Sequence, residues 1–287
     1  MAGIGYVYPP PADGKPFRLV MGLRSMPAQS WIEGGPELAT QLAQRQQLIS
    51  TKRDVVFRTL PDYESPSLRF AEMILENLKE FHSDRYLVNQ SGTIRHLATG
   101  FEVNIYEDHP FLQLAKVIGE DLCLISRVNN QWLLTSAAVI FPSRWQLATK
   151  IGRDLDEIHA PVPGYDISLQ PAMNLTFDRL TPERQVWRLN WALHADHELH
   201  QPTAERVSAD PSQYWWRTER QTLTKLAGGD HVLFSIRNRA EPLTNLLADP
   251  IHAAAFAETL SSMSPETIEY KGLSQDHQAI VDYLISR

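Results

Sequence analysis

The sequence predicts an α+β fold, an antiparallel sheet with helices collected around it. Three observations carry that prediction. Leu38, Leu42, Arg45 and Ile49 recur at the helical period, as do Phe70, Met73, Ile74, Leu78 and Phe81. Val186 to His194 instead alternates, with Trp187, Leu189, Trp191 and Leu193 on one face and Arg188, Asn190, Ala192 and His194 on the other. The apolar runs Leu122 to Val128 and Trp132 to Phe141 are separated by Asn129-Asn130-Gln131, and asparagine tolerates the positive φ of a tight hairpin turn.

Taken in order, residues 1–36 are rich in proline and glycine and read as an extended surface arm, anchored near Met21-Gly22-Leu23-Arg24 and Trp31-Ile32. Helices are expected over residues 37–53 and 66–82. Residues 93–97 and 102–106 suit short strands, and His109-Pro110 opens a helix through Ile118. After the hairpin, Leu147, Ile151, Leu155 and Ile158 sit at offsets of four, four and three, so one amphipathic helix is expected from Trp145 to Ile158, with Ser143 as its cap. It ends at His159, because Pro161 and Pro163 follow. Strands are expected over 186–194, 215–225 and 232–237, and closing helices over 241–260 and 274–285. The organisation is then an arm and helix (1–50), a central domain (51–273) and a C-terminal helix (274–287).

Composition narrows the function. The 287 residues are 43% hydrophobic and 21% charged, enough for a real core. A net charge of −7 argues against binding nucleic acid or an anionic membrane surface. The lone Cys123 excludes an internal disulfide framework and a cluster held by this chain's own thiolates. A cytoplasmic location is the default, since no apolar run approaches the ~20 residues of a membrane span and Met1-Ala2-Gly3-Ile4-Gly5 lacks a signal peptide's basic start.

Three groups of residues could carry chemistry. His159, at the end of an apolar helix with a stiff exit, suits an axial haem ligand; it equally suits a histidine favoured by a helix C-terminus. Arg188, Asn190, Glu219, Arg220, Gln221 and Arg237 could line one pocket, or form an open wet sheet face. On an ideal strand Glu219 and Arg220 point to opposite faces, so both reach one pocket only across a bulge. His194, His197 and His200, spaced three and three, could hold a metal or form a solvated loop; the spacing is not that of two ligands four apart on a helix. A phosphate-cradling glycine loop and a serine-nucleophile elbow are both missing.

Several spaced motifs resemble one family in the right order: Phe141-Pro142-Ser143-Arg144-Trp145, Lys150-Ile151-Gly152, Ile158-His159-Ala160-Pro161-Val162-Pro163-Gly164, Trp187-Arg188-Leu189-Asn190-Trp191, Glu219-Arg220-Gln221-Thr222-Leu223, Phe234-Ser235-Ile236-Arg237 and Tyr270-Lys271-Gly272-Leu273. They are similar to the alpha subunit of haem-dependent oxidative N-demethylase, over about Val56 to Leu273. The resemblance implies a PAS-like antiparallel sheet with flanking helices and N- and C-terminal extensions, holding haem b against a helix. It implies an oxidoreductase of the monooxygenase type, demethylating a small secondary amine such as dimethylamine with O2. Electrons would come from NADPH through a partner flavin and iron–sulfur subunit, and tetrahydrofolate on another subunit would capture the formaldehyde equivalent. The alternative is a haem-binding sensor or ligand-binding module without turnover. Carried over, His159 becomes the iron ligand, Glu219 holds the substrate ammonium, and Arg220 or Arg237 polarises oxygen. Arg144, Trp145, Arg188 and Asn190 are expected around the haem.

Overall fold

The computed structural model describes residues 5–203 and 208–286; residues 1–4 of the expected arm and residue 287 of the closing helix lie outside them. The chain runs β1 (Arg24–Ser25), α1 (Leu38–Thr51), α2 (Arg53–Val56), β2 (Phe57–Thr59), α3 (Glu64–Phe81), β3 (Tyr86–Val88), β4 (Thr93–His96), β5 (Glu102–Asn104) and α4 (Pro110–Ala115). Then come β6 (Glu120–Val128), β7 (Gln131–Ala138), α5 (Leu155–His159), α6 (Tyr165–Ser168), α7 (Gln170–Arg179), β8 (Val186–His194), β9 (Trp215–Lys225), β10 (His231–Pro242), α8 (Pro250–Ser261), α9 (Pro265–Tyr270) and α10 (His277–Ile285).

The main sheet has the order β1-β8-β9-β10-β6-β7-β2, with every pair antiparallel. A smaller sheet, β3-β4-β5, stands apart. The α+β expectation holds: β6 and β7 fall on the two apolar runs of the expected hairpin, and β8, β9 and β10 on the stretches read from alternation. Asn129 and Asn130 adopt φ of 50° and 65°, which makes the β6–β7 turn the left-handed kind that asparagine accommodates. On α1 the polar Arg45 belongs to the buried stripe because it pairs with Asp121 at 2.9 Å and donates to the carbonyls of Ala115 and Glu120.

Two expected helices are corrected. The segment 145–158 is not one helix: a 3-10 turn at Leu147–Thr149 is followed by Gly152 at φ 79°, whose N–H donates to Leu134 O at 2.7 Å. The chain leans on β7 there, which takes the helical hydrogen bonds away. The helix starts only at Leu155, where Asp154 accepts from Glu157 N at 2.8 Å and Glu157 reaches back to Asp154 N in a capping box. Ser143 therefore caps nothing; Arg144 beside it sits at φ 59°. The expected 241–260 helix also divides. Glu241 and Pro242 finish β10, a 3-10 turn covers Leu243–Ala248, and Asp249 caps α8, which has Pro250 in its first turn.

The register divides the main sheet into two faces. Arg188 pairs with Gln221 and Asn190 with Glu219, while Leu189 pairs with Arg220 and Arg220 with Arg237. No register shift interrupts β8–β9 or β9–β10, so these residues alternate strictly. One face carries Val186, Leu223 and Cys123 and is packed by Leu155, Tyr165 and Phe177 of α5–α7. The other is covered by the arm, α1, α3 and α4, with Trp31, Ile49, Phe70 and Phe111 in its core. A third core joins Trp216 and Leu193 to Phe256, Leu260 and Ile280 of α8 and α10.

Candidate functional site

Along β9, Thr218, Arg220 and Thr222 are buried whereas Glu219 and Gln221 are half-buried; on β8, Arg188 and Asn190 are half-buried too. The same strand is roofed on one face and open on the other. Arg188, Asn190, Glu219 and Gln221 form a polar floor on that face, in the middle of the sheet and beside an apolar core.

Glu219 is the acidic group of that floor. Asn190 Nδ2 and Gln221 Nε2 both donate to its Oε2, at 3.1 and 2.9 Å. Among the described residues Oε1 accepts no hydrogen bond, so the carboxylate is held by one oxygen and presents the other. Arg188 is next to it in the register, and its guanidinium makes no hydrogen bond or ion pair among the described residues. Its buried Nε lacks a partner. Burial lowers the guanidinium's pKa, and only the charge of Glu219 pushes it back up. An unpartnered, half-buried cation of this kind is costly and suits an anionic ligand.

His159 ends α5, and the charge of Arg188 reaches it and lowers its pKa. Its Nδ1 lies 2.7 Å from Leu155 O. A carbonyl only accepts, so Nδ1 carries the proton and Nε2 keeps its lone pair. Burial lowers the imidazole pKa, with Arg188 and Lys150 acting the same way against the Leu155 contact and Asp156, so the ring is neutral at pH 7. The ring also stacks on Tyr165, with centroids 5.3 Å apart and planes 16° apart. A neutral imidazole with a fixed tautomer and orientation is what a metal requires of a histidine ligand.

Arg144 and Trp145 hold the neighbouring loop. Arg144 Nη1 donates to Lys271 O and Nη2 to Leu193 O at 3.3 Å. Gly272 permits this approach, because a Cβ there would lie 2.8 Å from Nη1. Two of the motifs quoted above are thus in contact. Lys271 Nζ donates to Trp191 O at 3.0 Å and lies 4.1 Å from the Trp191 ring centroid; burial drops its pKa to about 8. Trp145 packs against the core of α5–α7 and lines a cavity of about 280 Å³ with Val55, Arg58 and Pro142.

Arg220 and Arg237 lie on the opposite sheet face from Glu219, which corrects the expectation that they share a pocket with it. No bulge intervenes, and they lie on the roofed face. Arg220 Nε pairs with Glu33 at 3.1 Å, and Arg237 Nη2 with Glu37 at 2.7 Å. Arg239 bridges both acids. These arginines clamp the arm to the sheet. The three loop histidines diverge. His194 is buried between Ser143 Oγ (3.3 Å) and Gln201 Oε1 (2.5 Å), His197 is exposed beside Glu198, and His200 Nδ1 bonds Ile140 O at 2.8 Å. Among the described residues no group of three His, Cys, Asp or Glu could hold a metal ion.

The antiparallel sheet, with Arg188 and Glu219 half-buried on the face that α5–α7 pack against, defines an α+β domain. The chain belongs to the haem-dependent oxidative N-demethylase, alpha subunit-like family, whose model matches residues 22–281. The family description indicates haem dependence and implies further subunits. No curated protein sequence matches the chain. Among the described residues no helix is long and apolar enough to cross a membrane.

Sequence reasoning missed Tyr165 and the arm acids Glu33 and Glu37. Tyr165 directly follows Pro161-Val162-Pro163-Gly164, and a glycine there was the available signal for a turn. Nothing in the sequence pattern pointed to the acids.

Proposed function

We propose that this chain is the haem-binding catalytic subunit of an oxidative N-demethylase acting on a small secondary amine. The single observation that carries the proposal is His159: neutral, its Nδ1–H on Leu155 O, and its Nε2 without a hydrogen bond among the described residues. That donor set fits haem b, since Nε2 of His159 would hold the iron and Arg188 a propionate carboxylate. Asn190 fixes Glu219, and Arg144 and Trp145 brace the adjoining loop. When bound, haem supplies the oxygen-activating chemistry. The balance of the reaction is that a secondary N-methylamine, O2, two electrons and two protons become a primary amine, formaldehyde and water.

This chain's own part is to bind and orient. Glu219 Oε1 would accept from the substrate ammonium, a charge-assisted contact, while the Asn190 and Gln221 amides keep the carboxylate from turning away. We assign Arg220 and Arg237 no substrate contact. Electrons would enter from NADPH through a partner flavin and iron–sulfur subunit; the one cysteine here, Cys123, is buried and cannot supply a cluster. A free buried thiol also accords with a cytoplasmic setting. The PAS-like reading of the fold draws support from the antiparallel sheet with short helices over one face.

The test is the absorption spectrum of purified protein given haem, beside that of His159→Ala. The expected result is a Soret band in the parent that is lost or displaced in the variant. A parent without a Soret band would overturn the proposal. Haem binding with no amine-dependent NADPH consumption, with a competent reductase present, would leave a sensor rather than an enzyme.

A further inference from the structure

The chain after His159 doubles back on it. Val162 N donates to His159 O at 2.8 Å and Tyr165 N to Val162 O at 3.1 Å, two turns in succession. Gly164 at φ 72° completes the reversal, a conformation glycine adopts without the Cβ penalty. Tyr165, 4% exposed, is thereby laid flat on the His159 imidazole. Its hydroxyl donates to Asp156 Oδ1 at 2.6 Å, and Asp156 lies on α5, three residues before the histidine. The tyrosine is therefore hydrogen-bonded to the helix that carries the histidine and stacked on the histidine itself. Asp154 and Glu157 fix the start of the same helix.

Two constraints act on the imidazole, and they do different things. The Leu155 carbonyl fixes which nitrogen is protonated, but a single hydrogen bond leaves the ring free to tilt about it. The Tyr165 ring occupies one face and removes that tilt. We propose that Tyr165, held by Asp156, is the positioning residue that sets the plane of the His159 imidazole. The inference rests on the reading of His159 as the haem ligand. A buried tyrosine hydroxyl needs a partner wherever it lies; here the partner is on the helix that carries the histidine, and a packing role alone would not require the near-parallel approach to the imidazole.

The experiment compares the parent, Tyr165→Phe, Tyr165→Leu and Asp156→Ala in two forms. In the haem-free chain, NMR of the parent His159 ring should show one protonated Nδ1 and upfield ring-current shifts of the carbon-bound protons. Tyr165→Phe and Asp156→Ala both lose the hydroxyl–carboxylate bond and keep an aromatic ring, so they should retain the shifts with broadened ring signals; Leu should lose the shifts and broaden the signals further. In the haem-loaded ferric protein, EPR of the parent should show one histidine-ligand geometry. Tyr165→Leu should show a spread of g values and a displaced reduction potential, and Tyr165→Phe and Asp156→Ala a smaller spread. A folded Tyr165→Leu with His159 signals and EPR identical to the parent overturns the proposal. If Tyr165→Leu does not fold, Asp156→Ala decides: broadened His159 signals support the proposal and unchanged ones overturn it. A parent that takes up no haem overturns the ligand reading, and the haem-free spectra still decide whether Tyr165 holds the imidazole.

Discussion

Three arginines on adjacent strands have different fates, and the difference predicts how each responds to substitution. Arg220 is paired with Glu33 in a nearly dry setting. Replacing it by methionine leaves Glu33 to Arg239 and orphans the Ser30 carbonyl, and should cost about 1.5–3 kcal/mol in urea unfolding. Arg237, on Glu37, belongs to the same clamp. Arg188 has no partner to lose. Arg188→Met removes a buried unsatisfied donor, so stability should stay within about 1 kcal/mol of the parent, while haem dissociates faster. A variant that melts early and keeps its haem would refute this account. Glu219→Gln tests the carboxylate on the same sheet face. The fold and any Soret band should persist, and amine affinity should fall about ten- to a hundredfold, the ~1.5–3 kcal/mol of a hydrogen bond to a charged group. Calorimetric titration with dimethylamine would show it, and unchanged affinity would remove Glu219 from the substrate contact.

At the scale of elements, the strands were legible and the short helices were not. A period of two survives any partner, so β8, β9 and β10 and the opposition of Glu219 to Arg220 could be read directly. Which face stays wet could not. That depends on the arm acids closing over Arg220 and Arg237 from about 190 residues away in the chain. The apolar stripe from Leu147 to Ile158 misled because a 3-10 turn and a five-residue helix satisfy the same spacing. The signal that separates them is Asp154 three residues before Glu157, the capping box. In α7 the spacing Leu169, Met173, Phe177 was present but sparse. Because α5 is so short, its cap matters more than its propensity. Asp154→Ala removes the cap and the contact from Gln131 Nε2 at 3.0 Å. It should cost about 1 kcal/mol, lower Tm by a few degrees, and weaken haem retention through His159. A Tm loss with unchanged haem dissociation would separate the helix start from the ligand.

The whole molecule is joined by contacts that link its ends. Tyr6 and Phe17 of the arm pack into the core of α8 and α10, and Leu19, Met21 and Leu23 into that of α5–α7. Unfolding therefore exposes groups from several cores together, and two buried histidines make that process sensitive to acid. His109 accepts from Phe111 N at 3.3 Å and faces Ser136 Oγ; burial pushes its pKa down to about 4. His194, 2% exposed, is pushed down to about 3 by burial and then by Arg217 and Arg144. In the unfolded chain both titrate near the ordinary value of about 6.5. Between the two values the unfolded state binds more protons, so stability rises with pH; it is complete above about 6.5 and falls as acid is added, until the folded pKa is passed. Each histidine contributes a slope of about 1.4 kcal/mol per pH unit, and the two sites share no partner, so the slopes add. From pH 6 to 5, above the range where ordinary carboxylates titrate, the two histidines should lower the unfolding free energy by about 2–3 kcal/mol. Burial lowers the pKa of His159, His200 and His231 as well, which adds to the slope, while the carboxyls of Glu120 and Glu241, raised by burial, act against it. Urea unfolding at half-unit pH steps measures the slope. His109→Gln and His194→Gln should each flatten it by roughly one histidine's share, and a parent profile level from pH 6 to 5 would show that these imidazoles are not held neutral by the fold.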